Sequence, residues 1–200
     1  FVDPATGEPR VACYCRGGVK IYDPVAGGAA LVVIDVDSHV EALAVFKDPA
    51  TGEPRVACAY EYDKKVFVYD PVAGGAALVV IDVGSRVYAL AVFKDPATGE
   101  PRLACGLFWD GKVLIFDPVA GGEELVVIDI GSEVFALTVF TDKTGAQRLA
   151  CGDADGKVRV FDLVAGGEAL VVLDLDDSAS ALAVFTDPAT GAPRLGVGRD

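Results

Sequence analysis

The sequence of 200 residues contains no methionine, one histidine and one tryptophan, and its 17 lysines and arginines are outnumbered by 30 aspartates and glutamates. Each shortage removes a class of function. The formal charge of -13 repels phosphate backbones and anionic lipid surfaces, so nucleic acid is not an expected partner. Uninterrupted apolar runs, such as residues 29–34, stop far short of the roughly 18 residues of a spanning helix, so membrane insertion is not expected. The lone histidine, His39, follows Ser38, and neighbouring residues on a strand point to opposite faces. No nucleophile, base and orienting residue can be assembled, so the chain is expected to be neither an enzyme nor a cofactor carrier. Because the sequence begins Phe1-Val2-Asp3 without a methionine, a fragment or a processed product is expected, and a missing leader segment carries no information.

What is abundant is repetition. The segment Asp3-Pro4-Ala5-Thr6-Gly7-Glu8-Pro9-Arg10 returns at Asp48 and Asp95, shortened at Asp142, and again at Asp187, at spacings of 45, 47, 47 and 45 residues. A second marker, Val-Ala-Gly-Gly, recurs in phase at Val25, Val72, Val119 and Val164. Periods of this length mark arrays of supersecondary units. Between the markers lie four short apolar segments per repeat, for example residues 87–93, 102–105, 112–116 and 125–128. They are rich in β-branched and aromatic residues and bounded by Gly, Pro or Asp, which is strand grammar; none is long enough for a helix. With 52% hydrophobic residues the chain has material for a real core.

Four antiparallel strands in every repeat make the expected fold all-β, a β-propeller of four-stranded blades. With the strands lettered A to D from the inside out, the chain opens at the end of an A strand and closes after a B strand. That gives four B-C-D-A units and one surplus B strand, between four and five blades of what is expected to be a larger ring. The repeat units run approximately over 1–38, 39–85, 86–132, 133–177 and, incomplete, 178–200, within a single propeller.

The period and the string of residues 148–162, Arg-Leu-Ala-Cys-Gly-Asp-Ala-Asp-Gly-Lys-Val-Arg-Val-Phe-Asp, resemble the second and third strands of a WD40 repeat. The family's Trp-Asp pair stands here as Tyr22-Asp23, Tyr69-Asp70, Phe116-Asp117 and Phe161-Asp162, and its Gly-His pair and second-strand Ser or Thr are replaced. The resemblance implies a scaffold for protein–protein contact, with packing taking over from the family's hydrogen-bonded tetrad. Two other functions fit a four-stranded propeller: a sugar-binding lectin, and a structural subunit of a larger assembly whose strands are completed by another chain.

The loops divide into two kinds. The A–B loops (Asp-Pro-Ala-Thr-Gly-Glu-Pro) and C–D loops (Asp-Pro-Val-Ala-Gly-Gly) are nearly the same in every repeat and read as structural turns. The B–C and D–A loops vary, and variation among copied repeats is where a blade-specific contact is written. Aromatic and arginine side chains dominate interface energetics, so the expected partner-binding residues on this face are Tyr14, Arg16, His39, Tyr60, Glu61, Tyr62, Arg86, Phe108 and Trp109. Tyr88 and Phe135, at the tops of A strands, are expected mainly in the core. The acidic balance favours protein partners with basic patches.

Other motifs carry less. Gly106 to Lys112 has the spacing of a phosphate-binding loop, yet Val113 replaces the magnesium-binding hydroxyl and no helix follows. Asp153-Ala154-Asp155-Gly156 resembles the start of a calcium loop without its bidentate glutamate, so a turn is expected. Cys13, Cys58, Cys105 and Cys151 occupy one equivalent position inside apolar runs and read as buried small hydrophobes; with Cys15 they complete no four-ligand set, so no metal site is expected. Free thiols point to a reducing, intracellular and cytoplasmic setting.

Overall fold

The computed structural model describes residues 1–15, 17–36, 38–163 and 166–199. Its strands fall into five antiparallel sheets taken in chain order. The first holds β1 (Val11–Cys15), β2 (Gly18–Tyr22) and β3 (Val32–Ile34). The second holds β4 (Val40–Lys47), β5 (Pro54–Tyr60), β6 (Lys65–Tyr69) and β7 (Val79–Asp82). The third is β8 (Val87–Lys94), β9 (Pro101–Leu107), β10 (Lys112–Phe116) and β11 (Val126–Asp129). The fourth is β12 (Val134–Thr141), β13 (Gln147–Asp153), β14 (Lys157–Asp162) and β15 (Val171–Asp174), and the last pairs β16 (Ala179–Thr186) with β17 (Pro193–Arg199). Each sheet is an up-and-down meander, the order that hairpin-length connections permit.

The first strands of successive sheets, β4, β8, β12 and β16, lie against one another in order, which makes them the A strands. The hydrophobic cores therefore sit between blades rather than within one. Phe46, Ala57, Ala59, Val66, Val68 and Ile81 of the second blade meet Leu103, Cys105, Leu114 and Phe116 of the third. Phe93, Val113, Ile115 and Ile128 of the third meet Leu149, Cys151, Phe161 and Leu163 of the fourth in the same way. A central strand is thus covered on both faces, and so its sequence is apolar without alternation, as in β9. Burying a side chain such as Phe116, only 1% exposed, contributes about 1.5–3 kcal/mol.

The copied loops prove to be a latch. The Asp3 and Asp48 side chains accept backbone hydrogen bonds two residues on, and the Asp23 and Asp70 carboxylates do the same in the C–D turns. One arginine per blade then reaches both turns. Arg55 lies 3.3 Å from Asp48 and 3.6 Å from Asp70, and Arg102 lies 3.1 Å from Asp95 and 3.6 Å from Asp117. Arg10 bridges Asp3 and Asp23, and Arg148 bridges Asp142 and Asp162, in the same manner. In the repeated Asp-Pro-Ala-Thr-Gly-Glu-Pro-Arg segment the Asp, Thr and Arg side chains each have a local partner of this kind.

Two expectations are corrected. Cys58, Cys105 and Cys151 are fully buried, but Cys13 is exposed, because β1 lies at the edge of its sheet among the described residues. Asp153, read as part of a loop, is the last residue of β13 and is fully buried, with its carboxylate paired to Arg159 and accepting the Lys157 N–H.

Candidate functional site

The B–C and D–A loops are tied together by the same backbone bonds in each of three blades. Glu61 donates its N–H to the His39 carbonyl, Phe108 to that of Arg86, and Ala154 to that of Glu133, at 2.9, 3.0 and 3.0 Å. One turn further, the carbonyl of Lys64 accepts from Val83 and Gly84, and that of Gly111 accepts from Ile130 and Gly131. The variable side chains therefore project from a braced frame. Lys64 stands at φ 52°, where Gly111 and Gly156 stand in the next blades, a left-handed conformation that disfavours any residue with a Cβ.

A second repeated device sets the side-chain directions. Each A strand carries a β-bulge near its start, between Val40 and Ala42, Val87 and Ala89, Val134 and Ala136, and Ala179 and Ala181. The unpaired residue is Glu41, Tyr88, Phe135 and Ser180 in turn. A bulge re-aims the residue it leaves out of the ladder, and here three of the four join the variable loops.

The result is a continuous strip across four blades. The Tyr14 ring meets His39 edge-on, with centroids 5.0 Å apart. His39 Nδ1 lies 3.9 Å from a carboxylate oxygen of Glu61. Arg86 donates to both Glu41 and Glu61, the latter at 3.1 Å, and its guanidinium stacks over Phe108 at 5.2 Å and Tyr88 at 5.6 Å. Phe108 packs on Phe135 and Tyr88, and it meets Trp109 edge-on at 4.5 Å. The bond to Glu41, then the charges of Glu41 and Glu61, hold the Arg86 guanidinium above its ordinary pKa. Tyr62 is raised as well, first by its hydrogen bond to Glu61.

The ligand atoms of His39, Glu41 and Glu61 lie within 4.8 Å of one another, a spacing that three metal ligands can have. Arg86 already places a cation between the two carboxylates, so the cluster is charge-compensated by the chain itself.

Seven of the nine expected residues stand on this face: Tyr14, His39, Glu61, Tyr62, Arg86, Phe108 and Trp109. Arg16 lies outside the described residues. Tyr60 is the correction. It is 5% exposed, its ring stacks on Phe67 and its hydroxyl shares a hydrogen bond of 2.5 Å with Tyr69, so it belongs to the core between the first two blades. Tyr60 is the last residue of β5, a strand covered on both faces, and not the first of the loop. Conversely Glu41, Tyr88 and Phe135 are part of the strip, and only the bulge explains why. Trp109, 67% exposed, and Tyr62, 75% exposed, are its outermost aromatic groups. Beside Trp109 an open cleft of about 360 Å³ is lined by Asp110, Gly111, Gly131, Ser132, Glu133 and Asp155.

No protein-family model matches the sequence, and no curated protein sequence does. Solved structures do match in shape. The chain superposes over 97% of its length on BBS1N, solved in complex with ARL6DN, with a TM-score of 0.67 at 16% identity, and it spans 62% of that chain. Sqt1 of Saccharomyces cerevisiae matches over 90% of this chain and 50% of its own, with a TM-score of 0.68 at 15% identity. The computationally designed Ika8 protein matches over 94% of this chain and 55% of its own, with a TM-score of 0.65 at 25% identity. All-β sheets in this order and these likenesses establish a β-propeller fold.

Proposed function

We propose that the chain is a non-catalytic, WD40-like platform that binds a protein partner through its B–C and D–A loops. The observation that carries this reading is the strip itself. It is built from residues that differ from blade to blade, at positions where the rest of the repeat is copied, and it runs unbroken from Tyr14 to Phe135 with Tyr62 and Trp109 outermost. Exposed Trp and Tyr on a rigid frame supply contact area with little ordering entropy. The acidic cleft beside Trp109 and the net charge of -13 favour a partner presenting lysine or arginine, whose cation meets both carboxylate and indole. The complex of BBS1N with ARL6DN shows that a propeller of this shape can hold a protein partner.

Affinity enrichment with three versions of the chain tests the proposal. A partner retained by the wild type and by Val25→Ser, on the opposite face and 80% exposed, and lost with Trp109→Ala, supports it. Retention by Trp109→Ala together with loss on Val25→Ser contradicts it.

A further inference from the structure

On the face opposite the variable loops, where the A strands run into the A–B turns, three blades enclose a cavity of about 620 Å³. Every residue lining it belongs to the second, third or fourth blade, between β4 and β13. Its apolar lining is Phe46 and Phe93, each 6% exposed, with Val92, Val139, Pro49 and Pro101. Its polar lining is rich in donors. Lys47, Lys94, Thr141 and Gln147 each offer at least one, and among the described residues none of these four side chains has a hydrogen-bond or ion-pair partner. Asp48 is the one carboxylate in the lining, and it is already engaged: it accepts from the Ala50 N–H at 2.9 Å and lies 3.3 Å from the Arg55 guanidinium. The uncompensated charge at the cavity is therefore positive, in a chain whose net charge is -13.

This face is otherwise copied from blade to blade, but these positions are not. Lys47, Lys94, Thr141 and Thr186 hold one equivalent place, the last residue of each A strand, and their cross-strand partners are Pro54, Pro101, Gln147 and Pro193. Two neighbouring blades thus bring an ammonium group to the cavity. The next brings a hydroxyl, and an amide where the others carry proline. Blade-specific residues converge here as they do on the strip, with the opposite sign of free charge.

We infer that this cavity binds a small amphipathic monoanion, a carboxylate carried on an aliphatic or aromatic body. The two ammonium groups form charge-assisted hydrogen bonds to the carboxylate, and the Thr141 hydroxyl and Gln147 amide supply further donors. The body of the ligand lies against Val92, Val139 and the two phenylalanines. A mostly apolar wall with a few convergent polar groups, in a volume within the range of about 300–1,000 Å³, is the general character of small-molecule sites. One negative charge suits the site better than several, because a polyanion would meet the acidic field of the whole chain with two lysines to offset it. The inference does not depend on the protein-binding strip, which lies on the other face.

Calorimetric titration of the 200-residue chain with octanoate tests this, with octanol as the same body without the charge and citrate as charge without the body. Octanoate is expected to saturate one site per chain with a dissociation constant of about 1 mM or tighter, in keeping with a ligand of its size. Octanol and citrate are expected to bind at least roughly tenfold more weakly, and Lys47→Gln combined with Lys94→Gln is expected to weaken octanoate about tenfold, because two partly screened ion pairs are lost. Thr141→Glu, which adds a carboxylate to the lining, is expected to abolish binding. All three positions are exposed, so these variants are expected to keep the wild-type melting temperature. Trp109→Ala is expected to bind octanoate as the wild type does. Absence of saturation by octanoate at about 10 mM overturns the inference. So does equal affinity for octanol or citrate, undiminished affinity in the double lysine variant or in Thr141→Glu, or loss of binding in Trp109→Ala.

Discussion

Replacing Arg86 by methionine keeps the length and apolar stem of the side chain and removes its charge. Glu41 and Glu61 then face each other without the cation between them. The side chains of Arg86, Glu41 and Glu61 are 22%, 11% and 20% exposed, neither buried nor free. Breaking a fully buried pair costs about 3–5 kcal/mol and an exposed one about 0–1, so a loss of about 2 kcal/mol is expected from the carboxylates. Stacking over Phe108 and Tyr88 adds about 0.5–1 kcal/mol. For a domain of this size each kcal/mol moves the melting temperature by about 2–4 °C, so Arg86→Met is expected to lower it by roughly 5–12 °C. Arg86→Lys restores the charge but not the planar group that stacks and reaches two carboxylates, and recovers only part of the loss. Adding Glu41→Gln and Glu61→Gln to Arg86→Met removes the repulsion and brings stability back up. A thermal melt followed by far-ultraviolet circular dichroism reads all of these. An unchanged melt for Arg86→Met refutes the view that this arginine holds the strip together.

Four further outcomes are expected. Lys64→Gly, which relieves a left-handed lysine, raises stability by about 0.5–1 kcal/mol, and a lower denaturation midpoint contradicts it. Gly152→Ala does the opposite, because its Cβ would stand 2.5 Å from the Ala179 carbonyl oxygen and force β16 away; an unchanged midpoint contradicts that. The Asp142 carboxyl is held at about 2, first by the Thr144 hydroxyl, and Asp3, Asp23, Asp95 and Asp187 are also held below the ordinary 3.8. A carboxyl depressed in the folded state stabilises above its unfolded value and loses that contribution as pH falls, so the melting temperature should be level above pH of about 5 and drop below about 4; a level profile down to pH of about 2 contradicts the latch. Burial pushes the Cys58 and Cys151 thiols up to about 12 and Cys105 upward as well, so all three should resist alkylation until the chain unfolds, as mass spectrometry of the labelled protein would show.

The strands were legible because each repeat carries the same punctuation: Asp-Pro and Gly-Gly turns, with β-branched runs between them. The face on which the loops gather was legible too, since copied turns and variable turns separate cleanly. What escaped sequence reading depends on neighbours. The bulge that turns Glu41, Tyr88 and Phe135 onto the strip is a one-residue slip in pairing, and no residue type announces it. Tyr60 looks like Tyr62 in sequence, yet one ends a buried strand and the other starts a turn. Cys13 looks like Cys58, and only the strand beside it makes them different. Phe108, expected as a partner-binding residue, is packed between Tyr88, Phe135 and Arg86, so Phe108→Ala is expected to affect stability as well as binding, and Trp109→Ala is the cleaner test of contact.

The central claim is that a protein partner rests on the B–C and D–A loops. Hydrogen–deuterium exchange of the chain with and without a captured partner reads this directly. Protection is predicted at residues 61–64 and 107–111 and at the facing turns 84–86 and 131–133, with the Asp-Pro turns unchanged. Protection confined to the turns at 48–53, 70–75, 95–100 and 117–122 would contradict it.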